Sequence, residues 1–184
     1  MAMAAGVNER LAKLTEAGVS VWLDQIRRGM IESGELQRLV DESSLRGVTS
    51  NPAIFEKAIL GSTDYDDQLK ELAGEGKGPR DIYEEIAIKD VQMACDVLRP
   101  VWDEGDHDDG FVSIEVMPDI AHDTDATIEQ ARDYWKRVDR PNLMVKIPGT
   151  DAGVPAIETA IAEGINVNVT LLFSVDAYGR VIHT

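Results

Sequence analysis

Apolar and polar positions along this chain switch between two periods. Five short stretches alternate with period two or run almost wholly apolar: "SVWLD" (20–24), "GVTSN" (47–51), "FVSIEVMP" (111–118), "NLMVKIP" (142–148) and "NVNVTLLFS" (166–174). Such runs predict strands. Between them the apolar residues recur at helical spacing. "VNERLAKLTEAG" predicts an opening helix with Val7, Leu11 and Leu14 on one face and Gly18 just past its end. "QIRRGMIESGELQRLVDES" and "PAIFEKAIL" follow the first two strands as helices. "GSTDYDDQLKELAG" predicts a helix capped by Ser62 or Thr63, with acids in its first turn. "PRDIYEEIAIKDVQMACDVLRPVWDEG" reads as a long helix from Pro79, interrupted or ended near Pro100. "DATIEQARDYWKRVD" and "DAGVPAIETAIAEG" complete the series, the latter stopped by Gly164, and Ser174 caps a last helix running to Thr184.

Strand and helix in alternation imply a parallel sheet covered by helices, either an open doubly wound sheet or a closed (β/α) barrel. Neither glycine-rich phosphate fingerprint is present after the first strand, where the chain reads "WLDQIRRG". Face parity separates the two architectures. Ser20, Trp22 and Asp24 share one face of their strand; so do Gly47, Thr49 and Asn51, then Phe111, Ser113 and Glu115, then Asn142, Met144 and Lys146, then Asn166, Asn168 and Thr170. The opposite faces carry Val21, Leu23, Val48, Val112, Ile114, Val116, Leu143, Val145, Ile147, Val167, Val169 and Leu171. Each strand thus has an apolar face for helices and a second face with polar groups near its C-terminal end. A doubly wound sheet would bury both faces and strand those groups. A barrel turns one face to its axis and gathers functional groups at the C-terminal mouth. The expectation is α/β, a partial (β/α)8 TIM barrel showing its first five strands.

Composition narrows the partners. The 184 residues are 43% hydrophobic, enough for one domain with a substantial core. Lys and Arg total 18 against 34 Asp and Glu, a formal net charge of −16, which favours neither nucleic acid nor an anionic membrane. Cys95 is the only cysteine, which excludes an internal disulfide framework and suits a reducing cytoplasm. No signal peptide is legible, and no apolar run reaches the roughly 18 residues of a membrane span. The acidic stretch "DEGDHDDG" (103–110) reads as a solvated loop without the EF-hand ligand pattern.

Lys146 is the anomaly, an ammonium group within the apolar "LMVKI". Burial drives a lysine toward its neutral amine, and a neutral amine attacks carbonyls to give an imine that serves as an electron sink. The competing reading makes Lys146 a structural partner of Glu115 or Asp24, or a side chain snorkelling to the rim. The two carboxylates of the same parity supply the proton shuttles that imine chemistry needs. Asn51, Asn168 and Thr170 could bind the hydroxyls of a polyol. His107 and His122 fall in loops and His183 is terminal, so no metal site is expected. Trp22, Met144 and Ser113 read as barrel filling, and Arg27 and Arg28 as helix-surface arginines rather than phosphate ligands.

The motifs "SVWLD", "GVTSNPAIFEKAI", "VSIEV", "LMVKIPGT" and "GINVNVTLLFS" resemble, in order, those of the transaldolase family, class I aldolase-type (β/α)8 barrels. The resemblance runs over about residues 19–177 and is closest to longer bacterial transaldolases and to the transaldolase half of fusions with glucose-6-phosphate isomerase. It implies transfer of a dihydroxyacetone unit from sedoheptulose 7-phosphate or fructose 6-phosphate to an aldose phosphate in the pentose phosphate pathway, with no cofactor. By the same resemblance Lys146 is the Schiff-base lysine, and Asp24 takes the proton from the donor's fourth hydroxyl. Glu115 is the acid/base working through a water held with Thr170. Thr49, Asn51 and Asn168 orient the dihydroxyacetone portion.

A full barrel takes about 250 residues, and the family's later phosphate-binding arginine motif is not in these 184 residues. Residues 1–184 are therefore expected to be the N-terminal part of a single barrel domain, truncated after strand five. Sugar phosphates are the expected partners, with a second copy or a C-terminal half completing the barrel. Two alternatives stand beside the transaldolase: another Schiff-base aldolase, such as a fructose 6-phosphate aldolase, and an inactive half-barrel that self-associates through exposed strands one and five.

Overall fold

The computed structural model describes residues 8–183. Five strands, β1 (Val21–Leu23), β2 (Leu45–Thr49), β3 (Phe111–Glu115), β4 (Leu143–Pro148) and β5 (Val167–Thr170), form one sheet in chain order. Every neighbouring pair is parallel. Trp22 of β1, Met144 of β4 and Asn168 of β5 line one open cleft of about 360 Å³, so the sheet curls until its first strand faces its last two. This is the half-barrel that the parity of the strands predicts.

Helices cover the convex side. Val48, Val112, Leu143, Val145 and Ile147 are fully buried there. They share a core with Val91, Ala94 and Leu98 of α6 (Pro79–Glu104), Tyr134 and Val138 of α7 (Thr124–Val138), and Ile157 and Ala160 of α8 (Gly153–Ala162). The remaining helices are α1 (Glu9–Glu16), α2 (Arg28–Glu32), α3 (Glu35–Ser43), α4 (Pro52–Gly61), α5 (Asp66–Gly74) and α9 (Val175–Ile182), with a 3-10 turn over Pro118–Ile120. Among the described residues no helix is long and apolar enough to cross a membrane.

Several boundaries differ from the sequence reading, each for a physical reason. The single helix expected over 25–43 is two, α2 and α3, broken at Gly34, whose φ of 75° lies in the left-handed region that glycine enters without strain. Pro100 does not end α6, which continues to Glu104. The proline is exposed and close to the C-terminal end, so it removes one helical bond while the buried face, ending at Leu98, stays intact. Neither Ser62 nor Thr63 caps α5: Ser62 closes α4, and α5 starts after Tyr65, which caps it with no side-chain bond. Tyr65 is placed instead by its buried hydroxyl, which donates to Asp90 at 2.8 Å and accepts from the Arg28 backbone N–H at 2.9 Å. Ser174 caps α9 as expected, its hydroxyl accepting from Ala177 N–H. Val7 and Thr184 lie outside the described residues.

Arg28 is not on the surface either. It is 4% exposed, and its Nε donates to Asp90 at 2.7 Å and its Nη1 to Gln68 at 2.6 Å. Burial pushes the Asp90 carboxyl above its ordinary value, against the downward pull of the Arg28 charge and the Tyr65 hydrogen bond. Burial, and then the Asp90 charge, push the Tyr65 phenol upward, which keeps it a donor. Arg27 pairs with Glu35 at 2.8 Å.

β1 and β5 are the sheet edges. Beyond β5 a group of apolar side chains meets solvent, Phe173 at 88% and Val175 at 85% exposure, with Leu171, Tyr178 and Ile182.

Candidate active site

The polar residues that parity groups on one face of the sheet divide by their height in the strands. Those at the N-terminal ends tie strands and loops together. Asn142, fully buried, donates to the carbonyls of Cys95 and Gly110, and Asn166 donates to those of Pro141 and Leu143. Those at the C-terminal ends cluster around Lys146.

Lys146 lies two residues before the end of β4 and is 8% exposed. Parallel pairing sets it opposite Glu115 on β3 and Asn168 on β5. The three side chains therefore point the same way from adjacent strands, within contact reach. The Lys146 Nζ stands 3.4 Å from Glu115 Oε2 and donates to the Ser50 carbonyl at 2.8 Å. Asn168 donates through Nδ2 to the Ser113 hydroxyl at 3.0 Å. Ser113 is fully buried and pairs with Thr49 across the β2–β3 ladder.

The other expected site residues sit at the same edge of the sheet. Thr170 ends β5 opposite Pro148; its buried hydroxyl oxygen makes no hydrogen bond among the described residues. A buried hydroxyl without a partner is costly, so this one is suited to a small polar guest. Asn51 caps α4, its Oδ1 accepting from Ile54 N–H at 3.0 Å, which leaves its amide nitrogen for other work. Asp24 makes no hydrogen bond or ion pair with Lys146 among the described residues. It is exposed, one residue past β1, and lines a cleft of about 300 Å³ with Gln25, Ile26, Arg27, Ile54, Lys57 and Ala58.

Trp22 and Met144, expected as filling, border the open cleft beside Asn168. Ser113, also expected as filling, holds the Asn168 amide. Ser50 escaped notice because period two puts it on the helix side of an extended 47–51 run. β2 ends at Thr49, however, so that parity no longer applies and the Ser50 carbonyl reaches the lysine. The "SNP" that follows the strand, a capping asparagine with proline at the first helical position, was the signal that the strand stops early.

Known proteins share this framework. The chain is 52% identical over 168 residues to a protein named transaldolase 2 from Nostoc sp. (strain PCC 7120 / SAG 25.82 / UTEX 2576), covering 91% of this chain and 44% of that one. It is 53% identical over 175 residues to a transaldolase of Mycobacterium tuberculosis (strain ATCC 25618 / H37Rv), covering 95% and 47% of the two. A transaldolase of Mycobacterium marinum (strain ATCC BAA-535 / M) is 53% identical over 178 residues, 97% of this chain and 48% of its own length. The chain thus spans about half the length of the curated relatives it matches. Residues 21–184, from the first strand through the last helix, match the transaldolase/fructose-6-phosphate aldolase family, and the chain belongs to it.

Proposed function

We propose that these residues form the imine-forming part of a transaldolase, which moves a dihydroxyacetone unit from sedoheptulose 7-phosphate or fructose 6-phosphate to glyceraldehyde 3-phosphate or erythrose 4-phosphate. The observation that carries the reading is the buried Lys146 amine, held between the Ser50 carbonyl and Glu115 on the concave face, with Asn168 alongside. The names of the relatives favour transfer over simple cleavage.

In this reading the Lys146 amine attacks the ketose carbonyl carbon. A C–N bond forms and the carbonyl oxygen takes up a proton, giving a carbinolamine. Glu115, through a water held with the Thr170 hydroxyl, protonates the departing hydroxyl; water leaves and the iminium remains. Asp24 takes the proton of the fourth hydroxyl, the bond between the third and fourth carbons breaks, and its electron pair passes to the iminium as an enamine. The shortened aldose phosphate departs. The enamine carbon then attacks the acceptor aldehyde, whose oxygen receives the proton from Asp24. Hydrolysis of the new iminium frees the product and the amine. Thr49, Asn51 and Asn168 hold the hydroxyls of the three-carbon unit, and no cofactor takes part. The setting is the pentose phosphate pathway in the cytoplasm.

Dihydroxyacetone with borohydride tests the first step. Hydride adds to the imine carbon and fixes the three-carbon unit to one peptide containing "LMVKIPGT". Lys146→Arg should abolish the label, because a guanidinium stays protonated. A folded chain that does not label, or that labels across surface lysines, overturns the reading. Product release from fructose 6-phosphate with and without an acceptor aldose distinguishes transfer from simple cleavage.

A further inference from the structure

Ser50 is fully buried, and it makes two hydrogen bonds in different directions. Its carbonyl accepts from Lys146 Nζ at 2.8 Å, and its hydroxyl donates to the Ser113 carbonyl at 2.7 Å. The second bond extends the β2–β3 connection one residue past the last ladder pair, Thr49 with Ser113. Without it the Ser50 peptide would hang between a strand that has ended and a helix that begins at Pro52.

We propose that Ser50 is a positioning residue that aims the Lys146 amine, an inference that rests on the imine reading above. A neutral amine has two N–H groups and one lone pair. The Ser50 carbonyl takes one N–H at 2.8 Å, which restricts rotation of the amine, while the Glu115 carboxylate stands 3.4 Å away as its ion-pair partner. That one anchored N–H narrows the directions open to the lone pair. A nucleophile whose lone pair is already aimed does not spend conformational freedom at the moment of attack. Ser113 joins this device to the substrate side. Its carbonyl fixes Ser50 and its hydroxyl accepts from Asn168, so one buried residue registers both the amine and the amide flanking it.

The side chain of Ser50 touches neither the amine nor the space beside it; its hydroxyl acts through the backbone. Ser50→Ala should therefore lower the maximal rate of dihydroxyacetone trapping about tenfold, the effect of losing one net hydrogen bond. The ketone concentration giving half the maximal rate should stay unchanged. Ser50→Thr keeps the hydroxyl and should restore the rate. Thermal unfolding confirms that the variants are folded; if Ser50→Ala is not, Ser50→Cys, of similar volume and with only a weak donor, replaces it. Nitrogen-15 NMR of the lysine side chains reads the same contact without any ketone. Hydrogen exchange at the Lys146 amine should be slow in the natural chain and in Ser50→Thr, and faster in Ser50→Ala. A natural chain that never traps the ketone defeats the imine reading alone, and NMR then decides the positioning role. Unchanged amine exchange in folded Ser50→Ala, an unchanged trapping rate, or a Ser50→Thr variant as slow as Ser50→Ala overturns the proposal.

Discussion

Replacing Arg28 with methionine removes one cation from the interior and leaves its space filled. Arg28 is 4% exposed and Asp90 0%, and among the described residues the guanidinium supplies the only positive charge bonded to that carboxylate. Breaking such a pair by deleting one partner costs about 3–5 kcal/mol, because the other charge stays buried without compensation. For a chain of this size each kcal/mol moves the midpoint of thermal unfolding by about 2–4 °C, so Arg28→Met should unfold roughly 10 °C lower. The sign of the pH dependence follows from Asp90. Burial already raises its carboxyl, and the Arg28 charge is the largest influence opposing that rise. Without the arginine the folded carboxyl rises further and takes up a proton on folding. The stability it contributes is then fully present below the ordinary carboxylate value and lost as pH rises through the raised one, at up to about 1.4 kcal/mol per pH unit. Thermal unfolding followed by circular dichroism from mildly acid to neutral pH should show a slope steeper than in the natural chain. Arg28→Met with Asp90→Leu should recover most of the loss and remove the extra slope, since an apolar pair can replace a buried ionic one. A loss below about 1 kcal/mol, the range of an exposed pair, or an unaltered slope would refute the reasoning.

Three further outcomes follow from the site. Glu115→Gln keeps the shape beside Lys146 and removes the acid, so ketone trapping should slow by about a hundredfold without vanishing, water replacing part of the shuttle; an unchanged rate would remove Glu115 from the mechanism. Gly47 lies beneath the Trp22 indole, and a β-carbon there would run into the ring, so Gly47→Ala should cost about 1–3 kcal/mol of stability and shift the tryptophan fluorescence; an unshifted spectrum would mean that the backbone yields instead. Dihydroxyacetone should trap at a rate insensitive to salt, whereas its phosphate ester should react more slowly and gain speed as salt screens the net charge of −16; equal rates for the two at low salt would show that a local cationic site exists.

The sequence made the sheet legible because burial on one face leaves a period of two in every strand. Ile147 and Val145 are completely buried while Lys146 between them faces Glu115 and Asn168, as the alternation requires. What it left hidden depended on where an extended run stops or on partners distant in the chain. "GVTSN" reads as a strand through Asn51, yet Asn51 is taken as the cap of α4 and β2 slides back to Leu45–Thr49, which removes Ser50 from the parity scheme. Arg28 sits on a short polar-looking helix, and its partner Asp90 is 62 positions away on α6. No local period records such a pair. Pro100 likewise reads as a stop until the α6 face that precedes it is seen packed into the core.

The arginine pairs bear on a question raised by the proposed function, which part of a sugar phosphate this half-barrel would hold. Arg27 is held by Glu35 and Arg28 by Asp90, so the two arginines that follow the first strand neutralise the protein's own carboxylates. Lys57 borders the Asp24 cleft, where a carboxylate shares the space. In the proposed reading the side-chain donors around Lys146 are amides and hydroxyls: Asn168, which pairs with Lys146 across the β4–β5 ladder, with Asn51, Thr49 and Thr170. Such groups match the hydroxyls and carbonyl of an uncharged three-carbon unit and offer nothing to a dianion. In that reading the chemistry of bond making is separated in space from the recognition of charge. That separation has a physical advantage: a guanidinium close to Lys146 would compete for Glu115 and repel the iminium as it forms. With Arg27 bound to Glu35 and Arg28 bound to Asp90, the Glu115 carboxylate is left to Lys146, 3.4 Å away.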